Sequence, residues 1–315
     1  MKRFVCLGGM NIDLQAIYYA GNEHKMGRVH YSMGGVARNI AEYITMLGKT
    51  TYLVSAYGDD DFGKAIKDHT SKLHINTDYC KIFHGSQTTT YIALYDEKKQ
   101  LMQSICDNAL VEALSDFDIY QAINHFDHQD YYLFDANLSV HQMKMILNEP
   151  KNSVLVPIYR KSLKEYIPIF AQFSMILFNR ENLKECTGIH VADNSFYQRI
   201  VVELAKLKVQ SALLMIDGLC LAYVNKHEMT TCWCEELSNL HTQTANELLI
   251  SAFLTTLSEH CPIEKALEFA LTAMIVDEEI RYEVDRKLDK TKIIERIQRI
   301  NFKTKKENYN EPKIY

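Results

Sequence analysis

The sequence predicts an α/β protein, a mostly parallel sheet flanked by helices with a small β-sheet inserted as a lid. Three observations carry this expectation. Short apolar runs of strand length alternate with runs of helical spacing, as in a parallel sheet covered on both faces. Two stretches break that alternation with strand pairs, and from Thr244 the chain turns all-helical. Composition agrees: 315 residues, 47% hydrophobic and 24% charged, can bury a sizeable core and are not those of a disordered or fibrous chain. Lys and Arg total 35 against 40 Asp and Glu, a net charge of −5. That balance offers no basic face, so no nucleic-acid partner is expected.

In chain order, residues 3–7 form a buried strand that ends in the Gly8-Gly9 turn. Residues 36–47 have helical spacing, with Ile40, Ile44 and Leu47 on one face and Gly48 as the stop. Residues 51–56 are β-rich and 62–73 helical. Buried-type strands follow at 131–134, 154–156, 175–178 and 212–216, separated by helical stretches at 140–147, 160–170, 180–186 and 196–207. The breaks fall at 14–20 with 28–33, and at 78–83, 89–95 and 101–106, the last two joined by a polar turn at 96–99. The expected division is one α/β domain over 1–302, with lid segments at about 14–33 and 78–106, and a loose polar tail over 303–315. A lid above the carboxyl ends of parallel strands suits a ligand site.

Eight cysteines are scattered, and Cys232 and Cys234 have the wrong spacing for a zinc knuckle or a redox pair. Buried thiols in a reducing compartment are expected. The apolar run after Lys2 and Arg3 stops at Asn11-Ile12-Asp13, too short for a signal segment. No run approaches the ~18 apolar residues of a membrane span. A cytoplasmic chain without a membrane partner is therefore expected.

The sharpest local signal is Gly34-Gly35-Val36-Ala37-Arg38-Asn39 at a strand-to-helix junction. Glycine admits close approach to backbone amides, a helix N-terminus offers unsatisfied donors, and Asn39 suits hydroxyls. Two glycines alone mark no more than a turn. Here they stand with Asn11-Ile12-Asp13 after the first strand and with Gly58-Asp59-Asp60-Asp61-Phe62-Gly63 after the strand at 51–56. The carboxylate of Asp13 fits a 1,2-diol, because both oxygens accept. The acidic run at 59–61 equally fits a helix cap. Gln103 and Asp107 fit either the pocket side of the lid or a solvated strand face.

Together these residues resemble the PfkB family of sugar and nucleoside kinases, the ribokinase-like fold. The stretches GGVARNIAE (34–42), VSAYGDDDFG (54–63), TTTYIALYD (88–96) and FDANL (134–138) look most like pseudouridine kinases. The resemblance implies that Asn11, Asp13, Gly34, Gly35 and Asn39 hold substrate hydroxyls. It implies ATP and Mg²⁺ as cofactors, and transfer of phosphate to a primary hydroxyl of a ribosyl compound, pseudouridine first. The lid is also a candidate homodimer surface.

The second half departs from the family pattern. Its D-T-x-G-A-G-D signature reads His241-Thr242-Gln243-Thr244-Ala245-Asn246-Glu247. Thr242 and Ala245 match, Glu247 falls where the catalytic Asp is expected, and Thr244 and Asn246 replace glycines. Glu has an acidity close to that of Asp, so it can serve as the base. Its extra methylene matters, since a displacement of about 1 Å can cost ~10²-fold in rate. Backbone N–H groups at a helix start still offer an anion hole whatever the side chains. The family's N-x-x-E keeps Asn179 but has Asn182 at the Glu position, leaving Glu181 or Glu185 as substitutes. Of a glycine turn near the nucleotide, Gly218 remains. The resemblance thus leaves two further readings beside the kinase: a pseudokinase that binds a nucleoside or sugar as a sensor, and a ribose or fructose kinase.

Overall fold

The computed structural model describes residues 2–18, 26–98, 100–148, 152–158, 162–189, 196–216, 220–236, 246–280 and 288–309. The chain begins with β1 (Phe4–Leu7), β2 (Asn11–Tyr18), β3 (Gly27–Gly34), α1 (Val36–Met46), β4 (Thr51–Val54), β5 (Ala56–Gly58) and α2 (Asp61–Lys72). It continues through β6 (Lys81–Phe83), β7 (Thr90–Tyr95), β8 (Leu101–Cys106), α3 (Ala109–Glu112), α4 (Asp116–Ile123), β9 (Tyr131–Asp135) and α5 (Val140–Leu147). Then come β10 (Asn152–Val156), β11 (Met175–Asn179), α6 (Arg180–Thr187), α7 (Phe196–Lys206) and β12 (Ser211–Ile216). The last elements are β13 (Cys220–Asn225), β14 (Glu228–Trp233), α8 (Asn246–Ser258), α9 (Ile263–Glu279), α10 (Lys290–Ile297) and β15 (Lys303–Asn308).

The main sheet has nine strands in the order β15-β14-β13-β12-β11-β10-β9-β1-β4. From β4 to β12 every pairing is parallel, whereas β13, β14 and β15 pair antiparallel. Successive residues of β1 face opposite sides. Phe4 and Cys6 join the core under α1, α8 and α9, while Val5 and Leu7 join the core under α5, α6 and α7. A strand buried on both faces must be apolar throughout, which is why these runs could be read from sequence. The chain leaves β1 for β4 on one side and crosses back to β9 on the other. Such a reversal opens a crevice at the carboxyl end of β1.

A separate sheet, β3-β2-β7-β8, stands at that end. Its register places Ser32, Asp13, Tyr91 and Cys106 in one row across the four strands, and Tyr31, Leu14, Ile92 and Ile105 in the next row. Adjacent residues of a strand face opposite sides, so the first row and the second lie on opposite faces of the lid.

Several expectations change. The strand expected at 78–83 is β6, which pairs with β5 in a sheet of its own, Ala56 opposite Lys81, and adds nothing to the lid. The tail is not loose over its first six residues: β15 pairs with β14 along its whole length as the exposed edge of the main sheet. Its Lys-rich sequence is what an edge strand tolerates. The helix expected at 160–170 is a 3-10 run, Lys164–Gln172, with Pro168 inside it; proline lacks the N–H that an α-helix would need there. Strands β13 and β14 were not anticipated. Among the described residues no helix is long and apolar enough to cross a membrane.

Candidate active site

Asn11 and Asp13 open β2, directly after the turn that closes β1. Asn11 Nδ2 donates to Asp13 Oδ1 at 2.6 Å. Gly34 pairs with Asn11 across the β2–β3 ladder, and a Cβ there would lie 2.4 Å from all three atoms of the Asp13 carboxyl group. Gly34 therefore makes room for the carboxylate. Gly35 has φ of 101°, and a Cβ on it would lie 2.3 Å from the Gly9 carbonyl oxygen. Only glycine combines that angle with that approach. The glycine pair thus packs α1 against the β1 turn, and its space is filled by the protein's own groups.

Asp135 ends β9, at 1% exposure. It accepts from Gly9 N at 2.7 Å, Ala37 N at 3.1 Å, Asn137 N at 2.8 Å and Asn137 Nδ2 at 3.1 Å. One carboxylate thereby joins the β1 turn, the N-terminus of α1 and the turn after β9. The first-turn N–H of Ala37 is used here by Asp135. Burial pushes the Asp135 carboxyl above its usual range. Its contacts span 126 and 98 residues of sequence, so no local pattern reveals them. A usable signal was an acid closing the apolar run Tyr131–Asp135.

Glu247 lies in the first turn of α8, which is buried between α1 and α9. Every residue from Asn246 to Thr256 is buried, so the helix sits in the core and its first turn is drawn inside with it. Ser251 Oγ, donating to Glu247 O at 2.6 Å with Ile40 O at 3.4 Å, ties α8 to α1. Glu247 is 5% exposed, and Asn39 from α1 hydrogen-bonds its carboxylate. Burial pushes its carboxyl up to about 7, and the nearby charges of Asp13 and Asp135 add to that rise. Asp13 is itself raised, by burial first, against the opposing pull of Asn11 and the Arg38 charge. A buried carboxyl raised toward neutrality beside a second carboxyl is able to take a proton from a neighbouring hydroxyl.

Asn246 is buried, and its Oδ1 has no hydrogen-bond partner among the described residues. The N–H groups of a helix's first turn lack intrahelical acceptors and favour an anion. Thr242, Thr244, Ala245 and Gly218, expected around the nucleotide, lie outside the described residues. Asn179 caps α6, its side chain accepting from Asn182 N at 2.8 Å. Asn182 Nδ2 donates to the Pro157 carbonyl at 2.7 Å. Glu185 accepts from Ser162 Oγ at 2.6 Å and from Leu163 N at 3.1 Å, and Glu181 is exposed. Among the described residues no three His, Cys, Asp or Glu side chains converge as metal ligands. With an amide in place of a carboxylate, position 182 itself offers no anionic ligand to a cation.

The acidic run at 59–61 is a scaffold. Asp60 caps α2 by accepting from Gly63 N at 2.8 Å and also takes Thr88 N at 3.0 Å. Thr89 Oγ1 donates to Met10 O at 3.1 Å, fixing the root of the lid to the β1 turn. Gln103 pairs with Leu94, and Asp107 N bonds Thr90 O. Gln103 lies on the lid face opposite Asp13, and Asp107 follows the end of β8.

The pfkB family carbohydrate kinase profile matches residues 1–204. An uncharacterized sugar kinase of Escherichia coli is 28% identical over 165 residues, 51% of this chain and 45% of that protein. The Escherichia coli pseudouridine kinase is 28% identical over 160 residues, 49% of this chain and 50% of that one. The chain thus spans about half the length of these curated relatives. The Arabidopsis thaliana ribokinase, solved with ribose and ATP, superposes with a TM-score of 0.78 at 17% identity, covering 94% of this chain and 98% of that one. The fold is ribokinase-like, and the chain belongs to the pfkB carbohydrate kinase family.

Proposed function

We propose that this pfkB-family chain transfers a phosphoryl group from ATP to a primary hydroxyl of a ribosyl compound, with pseudouridine the first choice. The observation that carries this is Glu247: buried at a helix N-terminus, raised to about 7, held by Asn39 and close to Asp13. Asp13, with Asn11 and Asn39, binds ribosyl hydroxyls. Glu247 accepts the proton of the attacking hydroxyl, and the first-turn N–H groups of α8 face the charge on the transferred group. Tyr91 shares the row and face of Asp13, which supports a substrate with a planar base beside its ribose. The name of the pseudouridine kinase relative supports the same choice.

A second reading has its own observation. With Asn182 bound to Pro157 O and Glu185 to Ser162 and Leu163, the nucleotide side lacks the family's carboxylate. That favours a sensor that binds a ribosyl ligand without turnover. An ATP-turnover screen with pseudouridine, uridine, ribose and fructose, run beside calorimetry of each ligand, separates the two. Turnover of a ribosyl compound supports the kinase, and binding without turnover supports the sensor. Binding of neither kind, with tight ATP binding, overturns both.

For assembly we propose a second copy on the outer lid face. Tyr31, Ile92 and Ile105 of its apolar row are exposed, a cross-strand stripe that one sheet cannot cover by itself. Sedimentation should give a dimer that Ile105→Lys weakens, and a monomer at all concentrations overturns this.

A further inference from the structure

Arg38 is the largest of the fully buried side chains, at 2% exposure. Its Nη1 donates to Met33 O of β3 at 3.3 Å and to Asn39 Oδ1 at 3.0 Å, and meets Glu42 Oε2 at 2.7 Å. Its Nη2 lies 3.0 Å from His69 Nδ1 on α2. Arginine has donors only, so His69 Nδ1 is the acceptor and that imidazole is neutral. Burial, and then the Arg38 charge, hold His69 below its usual value, in keeping with that state. Arg38 Nε has no partner among the described residues.

A buried ion pair with a donor left over is a costly way to hold a helix. Apolar residues of similar volume often do as well or better. Its geometric effect is more specific. Asn39 Oδ1 accepts from Arg38, so the group that Asn39 has left for Glu247 is Nδ2, a donor. An amide that is not fixed in this way can turn over and present its lone pairs to the carboxylate.

We propose that Arg38 is a positioning residue: it locks the Asn39 amide with Nδ2 toward Glu247 and thereby sets the proton affinity of that carboxylate. The role in catalysis rests on the reading of Glu247 as the base. The charged groups facing Glu247 are Asp13 from β2 and Asp135 from β9, both disfavouring its anion. Besides its own backbone N–H, Asn39 is the contact that favours the anion. The groups around Arg38 are Glu42, His69 and Asp13. Loss of a donor to a carboxylate raises its pKa. A rise of about half a unit from neutrality leaves Glu247 roughly twofold less ionised at pH 7.

The test is a carbon-13 NMR titration of the glutamate side-chain carboxyls in the full chain. The Glu247 resonance is the one lost in Glu247→Gln. Its midpoint should move upward in Arg38→Met. It should move less in Arg38→Lys, which keeps the charge but not the fork, and stay put in Glu42→Gln, which leaves the Asn39 contact intact. In kinetics the acid limb of kcat/KM should move up by the same amount, so that raising the pH restores part of the loss. A folded Arg38→Met with an unmoved midpoint overturns the proposal. Should that variant not fold, an unmoved midpoint in Arg38→Lys overturns it equally. A moved midpoint in a protein without turnover counts against Glu247 as a kinase base and leaves the hold of Arg38 intact.

Discussion

On the lid side of the groove, polar side chains are turned toward one another and toward the crevice. Asn11 holds Asp13, Gly34 leaves room for it, Asn39 holds Glu247, and Asp135 binds three loops into one frame. Around β11 and α6 the corresponding polar groups are engaged by the fold itself. Asn179 caps a helix, Asn182 bonds a backbone carbonyl, and Glu185 serves Ser162 and Leu163. The two halves contain similar residue types but differ in what those residues are bonded to. On the lid side the bonds run from one polar side chain to another, whereas around α6 they run mainly to backbone groups.

The largest expected effect tests whether the two halves still meet at one base. Glu247→Gln keeps shape and hydrogen bonding but cannot take a proton, so turnover should fall by about 10²–10⁴-fold. Stability should move the other way. Burial raises the Glu247 carboxyl in the folded state from its usual 4.5 to about 7, so the folded state binds more protons over that interval. Stability is then lost as pH rises through the interval, by about 3 kcal/mol once pH exceeds 7. Glu247→Gln removes this loss, and thermal melts at pH 8 should show the variant more stable than the wild type. Equal turnover in the two proteins would remove Glu247 from the mechanism.

The next effect is confined to the lid side. Asp13→Ala deletes two charge-assisted acceptors, each worth roughly 1.5–3 kcal/mol. Affinity for a ribosyl ligand should fall by well over tenfold by calorimetry, with ATP affinity unchanged. Equal losses for both ligands would mean that the halves are not separable, and an unchanged ribosyl affinity would place the pocket elsewhere.

The halves also differed in how far the sequence exposed them. The parallel strands were legible because burial on two faces demands unbroken apolar runs, as in Phe4–Leu7 and Met175–Asn179. The edge strand β15 was not, because Lys303–Asn308 is a polar run held by backbone bonds that need no particular side chain. A strand over 78–83 was legible but its partner was not: β6 pairs with β5 across about 25 positions, a long-range choice that alternation does not signal. In the site, Asp13, Asn39 and Glu247 could be proposed because they lie in local motifs. Asp135 lies in the FDANL stretch, but its bracing role could not be read there, since its partners Gly9 and Ala37 are brought to it by the crossover. Arg38 and Glu42 stand i,i+4 on α1, and nothing in that spacing shows the arginine to be buried, as it is beside His69 of α2.

The smallest expected effect asks whether the lack of a carboxylate at position 182 limits turnover. Asn182 is the third residue of α6, behind the cap Asn179. Asn182→Glu breaks the bond to the Pro157 carbonyl, a loss of about 1 kcal/mol. A glutamate at this position is otherwise favoured, since it can accept from the cap's own N–H and lies at the positive end of the helix dipole. The two effects nearly offset, so melting should shift little. If the lack of a carboxylate limits the enzyme, Asn182→Glu should raise kcat several-fold with KM for the ribosyl substrate unchanged. A variant that folds normally and turns over no faster would show that position 182 is not limiting, and the comparison would then rest on the substitutions at Thr244 and Asn246.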